Sequence, residues 1–202
     1  MPTKNQDLHG SAPEKAEVAL LLIDVINDFD FPEAADLLKH ALPMAPRLAE
    51  LKRRARDAGL PIIYVNDNFG RWRSDFRAIV ERCLEQGGKV REFVEQLKPD
   101  KDNYFVFKPK HSGFYSSALD ILLRYLEVHT VILTGVATNI CVLFTANDAY
   151  MRDFHLIVPE DCVAANDAEL TRHALDQMRH VLKADTTPSN RLPLYQSPSE
   201  PA

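Results

Sequence analysis

The chain has 202 residues, 46% of them hydrophobic, and a formal net charge of -5. This is enough apolar material for one compact domain, and the mildly acidic balance argues against nucleic acid as a partner. No apolar stretch approaches the roughly 18 residues of a membrane-spanning helix, and the polar N-terminal segment lacks the apolar centre of a secretory signal, so we expect a cytoplasmic protein without membrane attachment.

The first part of the chain predicts a flexible arm, a buried strand and two helices. Residues 1–16 contain prolines and a glycine that interrupt any periodicity, and we expect them to be disordered. The apolar run Val18–Ile23 is typical of a strand that is buried on both faces. Helical patterns at about 33–40 and 44–58 predict two helices, the second of which is closed by Gly59.

The rest of the chain alternates between strand and helix patterns. Further strands are predicted at 61–65, 104–107, 130–134 and 155–158, and further helices at about 74–85, 89–97, 116–127, 138–152 and 168–183. This alternation predicts an α/β fold in which helices cover both faces of a parallel sheet. The prolines and serines of residues 187–202 predict a loose tail, which leaves 17–186 as the folded domain.

Polar or reactive residues come at or just after the ends of several predicted strands. They are Asp24, Asn66, Lys108 and the pair of Gly135 and Cys141. Right-handed crossovers bring the carboxyl ends of parallel strands to one edge of the sheet, which is where open α/β sheets bind ligands. The sequence therefore predicts a site for a small molecule at this edge.

Cys141 is the candidate nucleophile at that edge. An apolar run stops at Gly135, a helix is predicted to begin a few residues later, and Cys141 falls in its first turn, where helix N–H groups favour a thiolate. The alternative is a small buried hydrophobic residue, which is how we interpret Cys83 and Cys162. Cys162 also follows a strand but lacks the glycine and the helix. Three widely spaced cysteines predict reduced thiols rather than a disulfide framework.

Two charged residues could serve this thiol. Asp24 could be its base or could orient a cation, and the alternative is a residue that caps the following turn. Lys108 ends an apolar aromatic strand, where a lysine is costly unless it is paired, although it could also reach the rim with its stem buried. Lys110, two residues on, competes for the same role. His111 is the histidine nearest to these positions and could equally be a polar loop residue.

No histidine pattern predicts a metal. The seven histidines form none of the HxH, HxxH or HExxH patterns, and no Cys/His pair has the spacing of zinc ligands. We therefore expect neither a metal nor another cofactor.

Three segments in this order resemble the isochorismatase-like cysteine hydrolase superfamily. They are residues 21–29 (LLIDVINDF), 108–114 (KPKHSGF) and 134–142 (TGVATNICV). The superfamily includes nicotinamidases, N-carbamoylsarcosine amidases and ureidoacrylate amidohydrolases, and the resemblance extends over residues 17–186. It implies a three-layer α-β-α fold with a six-stranded, mostly parallel sheet, and a homo-oligomer, either a dimer or a tetramer.

The resemblance also implies which residues act. Its catalytic triad corresponds to Asp24, Lys108 and Cys141. In the family the lysine is followed four residues later by Ser-Ala-Phe, and here Lys108 precedes Ser-Gly-Phe at that spacing, which favours it over Lys110. The family has a non-proline cis peptide bond that corresponds to Val136–Ala137. It implies an oxyanion site made by the backbone N–H groups of Ala137 and Cys141.

The implied activity is hydrolysis of a small amide, ureido or similar acyl C–N bond through a cysteine thioester. Phe29, Asn68 and Trp72 are candidates for substrate binding. Metal-dependent nicotinamidases carry an Asp-x-His and a further histidine after the second strand, whereas residues 66–72 contain no histidine. This departure argues against both a metal and nicotinamide. Two alternatives are hydrolysis of an isochorismate-like vinyl ether, which true isochorismatases perform without this cysteine, and a non-catalytic protein that binds a metabolite.

Overall fold

A computed structural model describes residues 15–67 and 75–194. In this part of the chain the strands are β1 (Val18–Ile23), β2 (Ile62–Asp67), β3 (Tyr104–Lys108), β4 (Thr130–Val136), β5 (His155–Ile157) and β6 (Val163–Ala164). The α-helices are α1 (Ala34–Asp57), α2 (Phe76–Glu85), α3 (Gly88–Leu97), α4 (Leu119–Tyr125), α5 (Leu143–Tyr150) and α6 (Ala168–His180). A π-helical turn, Thr138–Val142, precedes α5, and a short 3-10 helix, Ser189–Arg191, follows α6.

The six strands form one parallel sheet. Their order is β3-β2-β1-β4-β5, and β6 pairs with the last two residues of β4, beyond the stretch that pairs with β5. This confirms the predicted α/β fold. The sixth strand, which only the family resemblance implied, has two residues, too few for an apolar period to reveal it.

Strand β1 shows why the sheet is central. Its side chains alternate between two separate cores: Leu20 and Leu22 pack with residues of α1, α2 and α3, while Leu21 and Ile23 pack with residues of α4, α5 and α6. A strand that is covered on both faces needs apolar residues at every position, because successive side chains point to opposite faces. The continuous apolar run is the consequence.

Helix α1 corrects the prediction of two helices at 33–40 and 44–58. One helix runs through this region, with Pro43 and Pro46 inside it. A proline in a helix removes a backbone hydrogen bond and crowds the preceding turn. The buried residues Ala41, Met44 and Leu48 continue one apolar face across both prolines, so packing against the sheet outweighs that cost.

Both ends of the described chain are more firmly held than the sequence predicts. Ala16 is buried and its N–H donates to the carbonyl of Leu126 at 2.9 Å. Residues 187–194 belong to the segment predicted as a loose tail, but the guanidinium of Arg54 donates to the carbonyls of Ser189 and Leu192, both at 2.6 Å. Composition alone does not reveal such tertiary hydrogen bonds.

Among the helices in the described ranges, none combines the length and the apolarity needed to traverse a bilayer.

Candidate active site

The register of the sheet brings four strand ends together. Ile23 of β1 is paired with Val65 of β2 and with Gly135 of β4, and Asp67 of β2 is paired with Lys108 of β3. Because all these strands are parallel, the residues that follow them gather at one edge. The site is built on this edge.

Lys108 lies at the centre of the group. Its side chain is fully buried, and its Nζ lies 2.9 Å from Asp24 Oδ2 and 3.9 Å from Asp67 Oδ2. The same ammonium donates to the Lys110 carbonyl at 3.2 Å and to Cys141 Sγ at 3.5 Å. Burial alone lowers the pKa of Lys108, but Asp24, Cys141 and Asp67 raise it above its ordinary value. The lysine is therefore a charged ammonium at neutral pH.

The carboxylate of Asp24 is fixed on both oxygens. Its backbone has a φ of 51°, in the left-handed region, and its N–H donates to the Val65 carbonyl at 3.0 Å. Oδ1 accepts the N–H of Asp67 at 2.7 Å, while Oδ2 faces Lys108. Asp24 thus has a bonded, oriented carboxylate at a buried position, rather than serving as the cap of a following helix.

Asn66 supports this edge through the neighbouring loop. It is fully buried, and its Oδ1 accepts the N–H of Ile26 at 3.3 Å while its Nδ2 donates to the Ile26 carbonyl at 2.7 Å. This paired amide holds the segment that follows Asp24. Both polar atoms of its side chain are hydrogen-bonded to the backbone of Ile26, so Asn66 supports the site structurally.

The chain reaches Cys141 through a tight passage after β4. Gly135 has a φ of 106°, and a Cβ at this position would lie 2.1 Å from the carbonyl oxygen of Ile23, so the position requires glycine. The peptide bond between Val136 and Ala137 is cis. These two features lead β4 directly into the turn that carries the cysteine.

That turn differs from the predicted first turn of an α-helix. Cys141 lies within the π-helical turn, in which the Val142 N–H donates to the Ala137 carbonyl at 3.2 Å. The i to i−5 bond adds one residue to the turn and is found often at functional sites. Propensity rules do not distinguish such a turn from the start of an α-helix, because both use the same residue types.

The thiol of Cys141 is half-buried between a lysine and a histidine. Its Sγ lies 3.5 Å from Lys108 Nζ and 4.0 Å from His111 Nδ1. Burial and the neighbouring Asp24 carboxylate raise the pKa of Cys141, and the opposing effect of Lys108 does not cancel them. This direction is opposite to the one that the sequence argument for a thiolate at a helix terminus predicts. The thiol keeps its proton at neutral pH, and a base must remove it.

The other two cysteines lie in the apolar cores. Cys83 and Cys162 are fully buried. Burial raises the pKa of Cys83 to about 11, and burial together with Asp161 raises that of Cys162 to about 12. Cys141 differs from both because solvent reaches it.

The loop after Lys108 is attached to the helix that follows Cys141. Ser112 Oγ donates to Asp148 Oδ2, and the Gly113 N–H donates to Thr145 Oγ1 at 2.9 Å. A Cβ on Gly113 would lie 2.8 Å from Cγ1 of Val65, so the loop also sits tightly on β2. These contacts fix the loop of the lysine relative to the turn of the cysteine.

The sequence model of the isochorismatase domain matches residues 18–188 of this chain. The chain belongs to the isochorismatase family. As a member of this family it is 43% identical to the uncharacterized isochorismatase family protein YaaI of Bacillus subtilis, over 88% of this chain and 97% of that protein. It is 28% identical to the ureidoacrylate amidohydrolase RutB of Methylobacterium radiotolerans, over 81% of this chain and 74% of that protein.

Solved structures of isochorismatase relatives share the fold. The N-carbamoylsarcosine amidase of Thermoplasma acidophilum is 29% identical with a TM-score of 0.65, covering 87% of this chain and 98% of its own. The nicotinamidase SaPncA of Staphylococcus aureus is 26% identical with a TM-score of 0.67, covering 85% and 99%. The chain is an isochorismatase-family hydrolase that is related to amidohydrolases.

Of the three residues predicted to bind substrate in this isochorismatase-family site, the structure describes Phe29. The ring of Phe29 packs edge-on against Phe93, with centroids 5.5 Å apart, and stacks on Phe31 at 6.4 Å. It therefore belongs to an aromatic group beside α3. Asn68 and Trp72, the other two candidates for substrate binding, lie outside the described residues.

Sequence reasoning missed Asp67 and left His111 without a role. Asp67 is the register partner of Lys108, and the signal was available, because extending the second predicted strand by two residues, from 65 to 67, would have placed it there. The position of His111 depends on the path of a loop, which no local pattern predicts. Within 15–67 and 75–194, no group of three or more His, Cys, Asp or Glu side chains is arranged to hold a metal ion.

Proposed function

We propose that this isochorismatase-family hydrolase cleaves an acyl C–N bond in a small amide or ureido compound through a thioester on Cys141. The observation that carries the proposal is the contact of one buried ammonium with both a carboxylate and a thiol. Lys108 Nζ lies 2.9 Å from Asp24 and 3.5 Å from Cys141. A nucleophile, a base and a cation that lie within hydrogen-bond reach form the arrangement needed for covalent catalysis.

The first step is acylation. Because the resting thiol is protonated, Asp24 removes its proton while Sγ attacks the acyl carbon. The ammonium of Lys108 remains charged and stabilises the negative charge that moves from the carboxylate to the sulfur. The lysine therefore lowers the barrier without donating its own proton.

The oxyanion that forms is bound by the backbone N–H groups of Ala137 and Cys141. The π-helical turn begins directly after Ala137, and the first N–H groups of a helical turn have no acceptor within that turn. Such donors are available to a developing negative charge. The protonated Asp24 then gives its proton to the leaving amine, and water hydrolyses the thioester.

The relatives support a substrate of the amide or ureido class. They include a ureidoacrylate amidohydrolase and an N-carbamoylsarcosine amidase. Ureidoacrylate and N-carbamoylsarcosine each carry a carbonyl that is flanked by nitrogen. A thiol nucleophile suits such an acyl carbon, whereas hydrolysis of a vinyl ether needs no acyl-enzyme. We expect a small-molecule substrate, and an assembly of two or four copies.

A turnover screen tests the proposed function. Small amides, ureido acids and nicotinamide would be incubated with the protein, and released ammonia or amine would be measured, together with pyruvate as the product of an isochorismate-like ether. We expect amine or ammonia release that disappears in Cys141→Ala and survives in Cys83→Ala, its matched control. Full turnover by Cys141→Ala, or release of pyruvate alone, would contradict the proposal.

A further inference from the structure

A second titratable side chain lies against the sulfur of Cys141. His111 Nδ1 is 4.0 Å from Sγ, and the histidine is exposed to solvent. Lys108, which donates to the same sulfur, is fully buried. The thiol therefore has a buried cation on one hand and a solvent-exposed imidazole on the other.

The two side chains that could act as a base, Asp24 and His111, also differ in exposure: Asp24 is buried, whereas His111 is exposed. Asp24 is only 6% exposed, and its two oxygens are bonded to the Asp67 N–H and to Lys108. A water molecule that attacks a thioester must come from solvent, where the imidazole of His111 lies. Imidazole exchanges protons near neutral pH and is the side chain most often used as a general base.

The imidazole is held in place by its surroundings. Its ring lies 5.5 Å, between centroids, from the ring of Phe144 on α5. The next two residues, Ser112 and Gly113, are hydrogen-bonded to Asp148 and Thr145 of the same helix. A base that is fixed in this way loses little entropy when the reaction occurs.

We propose that His111 is the base that activates water for hydrolysis of the acyl-enzyme. This inference rests on the thioester of the proposed function. Nδ1 of His111 takes a proton from water as the water oxygen bonds to the thioester carbon. The C–S bond then breaks, the acid leaves, and the sulfur takes the proton back from the imidazolium across the same contact. One water is consumed, and the thiol and the neutral imidazole are restored. Asp24 serves acylation and His111 serves deacylation.

Acylation and deacylation can be separated with p-nitrophenyl acetate as the acyl donor. The burst of nitrophenolate reports acetylation of Cys141, and the steady rate reports loss of the acetyl group. The variant is His111→Phe, which keeps a ring against Phe144 but cannot accept a proton. The matched control is His180→Phe, which changes an exposed histidine at the end of α6.

We expect His111→Phe to keep a burst close to that of the wild type while its steady rate falls by about 100-fold, since a general base contributes at least that much. Acetylated Cys141 should then accumulate in the intact mass spectrum. A steady rate equal to that of His180→Phe would overturn the role of His111, and so would an equal loss of burst and steady rate. If wild-type Cys141 never acquires an acetyl group, the proposed function itself fails, and the inference with it.

Discussion

At the scale of single residues, the environment of Lys108 gives the clearest expectation. Lys108→Ala removes the cation from a buried carboxylate and from the thiol, so we expect kcat/KM for an amide substrate to fall by about 100-fold or more. Lys110→Ala should stay near the wild-type value, because Lys110 accepts from the Lys108 ammonium through its backbone carbonyl, which the substitution keeps, while its side chain is exposed. Steady-state kinetics on both variants test this. Equal losses would refute the assignment of the lysine.

The thiol itself predicts a particular response to alkylation. Cys141 is accessible, while Cys83 and Cys162 are fully buried, so iodoacetamide should modify Cys141 alone in the folded protein. Because the pKa of Cys141 is raised above its ordinary value of 9.0, the rate should still be increasing at pH 9. Mass spectrometry of the modified peptides at several pH values gives this profile. A rate that levels off below pH 7 would indicate a preformed thiolate instead.

At the scale of elements, the attachment of the lysine loop to helix α5 should matter for catalysis. Asp148 accepts from Ser112 and also pairs with Arg152 at 3.2 Å, although it does not touch the thiol. Asp148→Ala should lower kcat by about 10-fold or more by loosening the loop, while Asp148→Asn, which keeps an acceptor for Ser112, should recover much of the loss. Circular dichroism would verify that both variants are folded. If Asn and Ala behave alike, the hydrogen bond does not position the loop.

The passage from β4 to the cysteine turn gives a prediction about stability. Gly135→Ala would place a Cβ 2.1 Å from a carbonyl of β1 at a φ of 106°, and should cost about 3 kcal/mol or more in the free energy of unfolding. Gly87→Ala is the control, because Gly87 also has a positive φ but nothing within 4 Å of the added carbon. It should cost about 1–3 kcal/mol, because the φ of 73° and ψ of −166° at Gly87 lie in a region that is nearly exclusive to glycine. Urea denaturation that gives similar losses would show that strain, not contact, governs both.

Elements also differ in how far the sequence predicts them. The run of β1 and the glycine that ends α1 follow from local patterns, because burial on two faces and a left-handed terminus restrict the residue types. Three elements depend instead on packing against residues that are distant in the sequence, which a short stretch of sequence does not reveal. They are the single helix through Pro43 and Pro46, the π-helical turn and the two-residue strand β6. The same division applies to the site. Asp24 and Lys108 come from strand ends, but the position of His111 needs the folded loop.

At the scale of the whole molecule, the buried thiols make stability depend on pH. The pKa of Cys83 is raised from 9.0 to about 11 and that of Cys162 from 9.0 to about 12. Above pH 9 the unfolded chain therefore releases protons that the folded chain retains, so the contribution of each thiol is complete below pH 9 and is lost as pH rises toward its folded pKa. The raised pKa of Lys108 acts in the same direction. We expect the free energy of unfolding to fall above pH 9.

Urea denaturation between pH 7 and pH 10.5 measures this dependence. The double variant Cys83→Ala and Cys162→Ala should be less stable at pH 7, because it leaves cavities, but its stability should fall less steeply above pH 9. A slope equal to that of the wild type would mean that other groups cause the alkaline loss.

The close approach of Gly113 to Val65 has an evolutionary consequence. The Ser-Ala-Phe pattern of the family resemblance has alanine where this chain has Gly113. A methyl group at this position would lie 2.8 Å from Cγ1 of Val65 on the neighbouring strand. We therefore expect the two positions to be coupled: alanine at position 113 should be better tolerated when residue 65 is smaller, although Cδ2 of Leu119 also lies 3.1 Å from the added carbon. A variant that carries the Ser-Ala-Phe segment alone should have a lower free energy of unfolding than the parent chain. A variant that also carries Val65→Ala should regain part of that free energy.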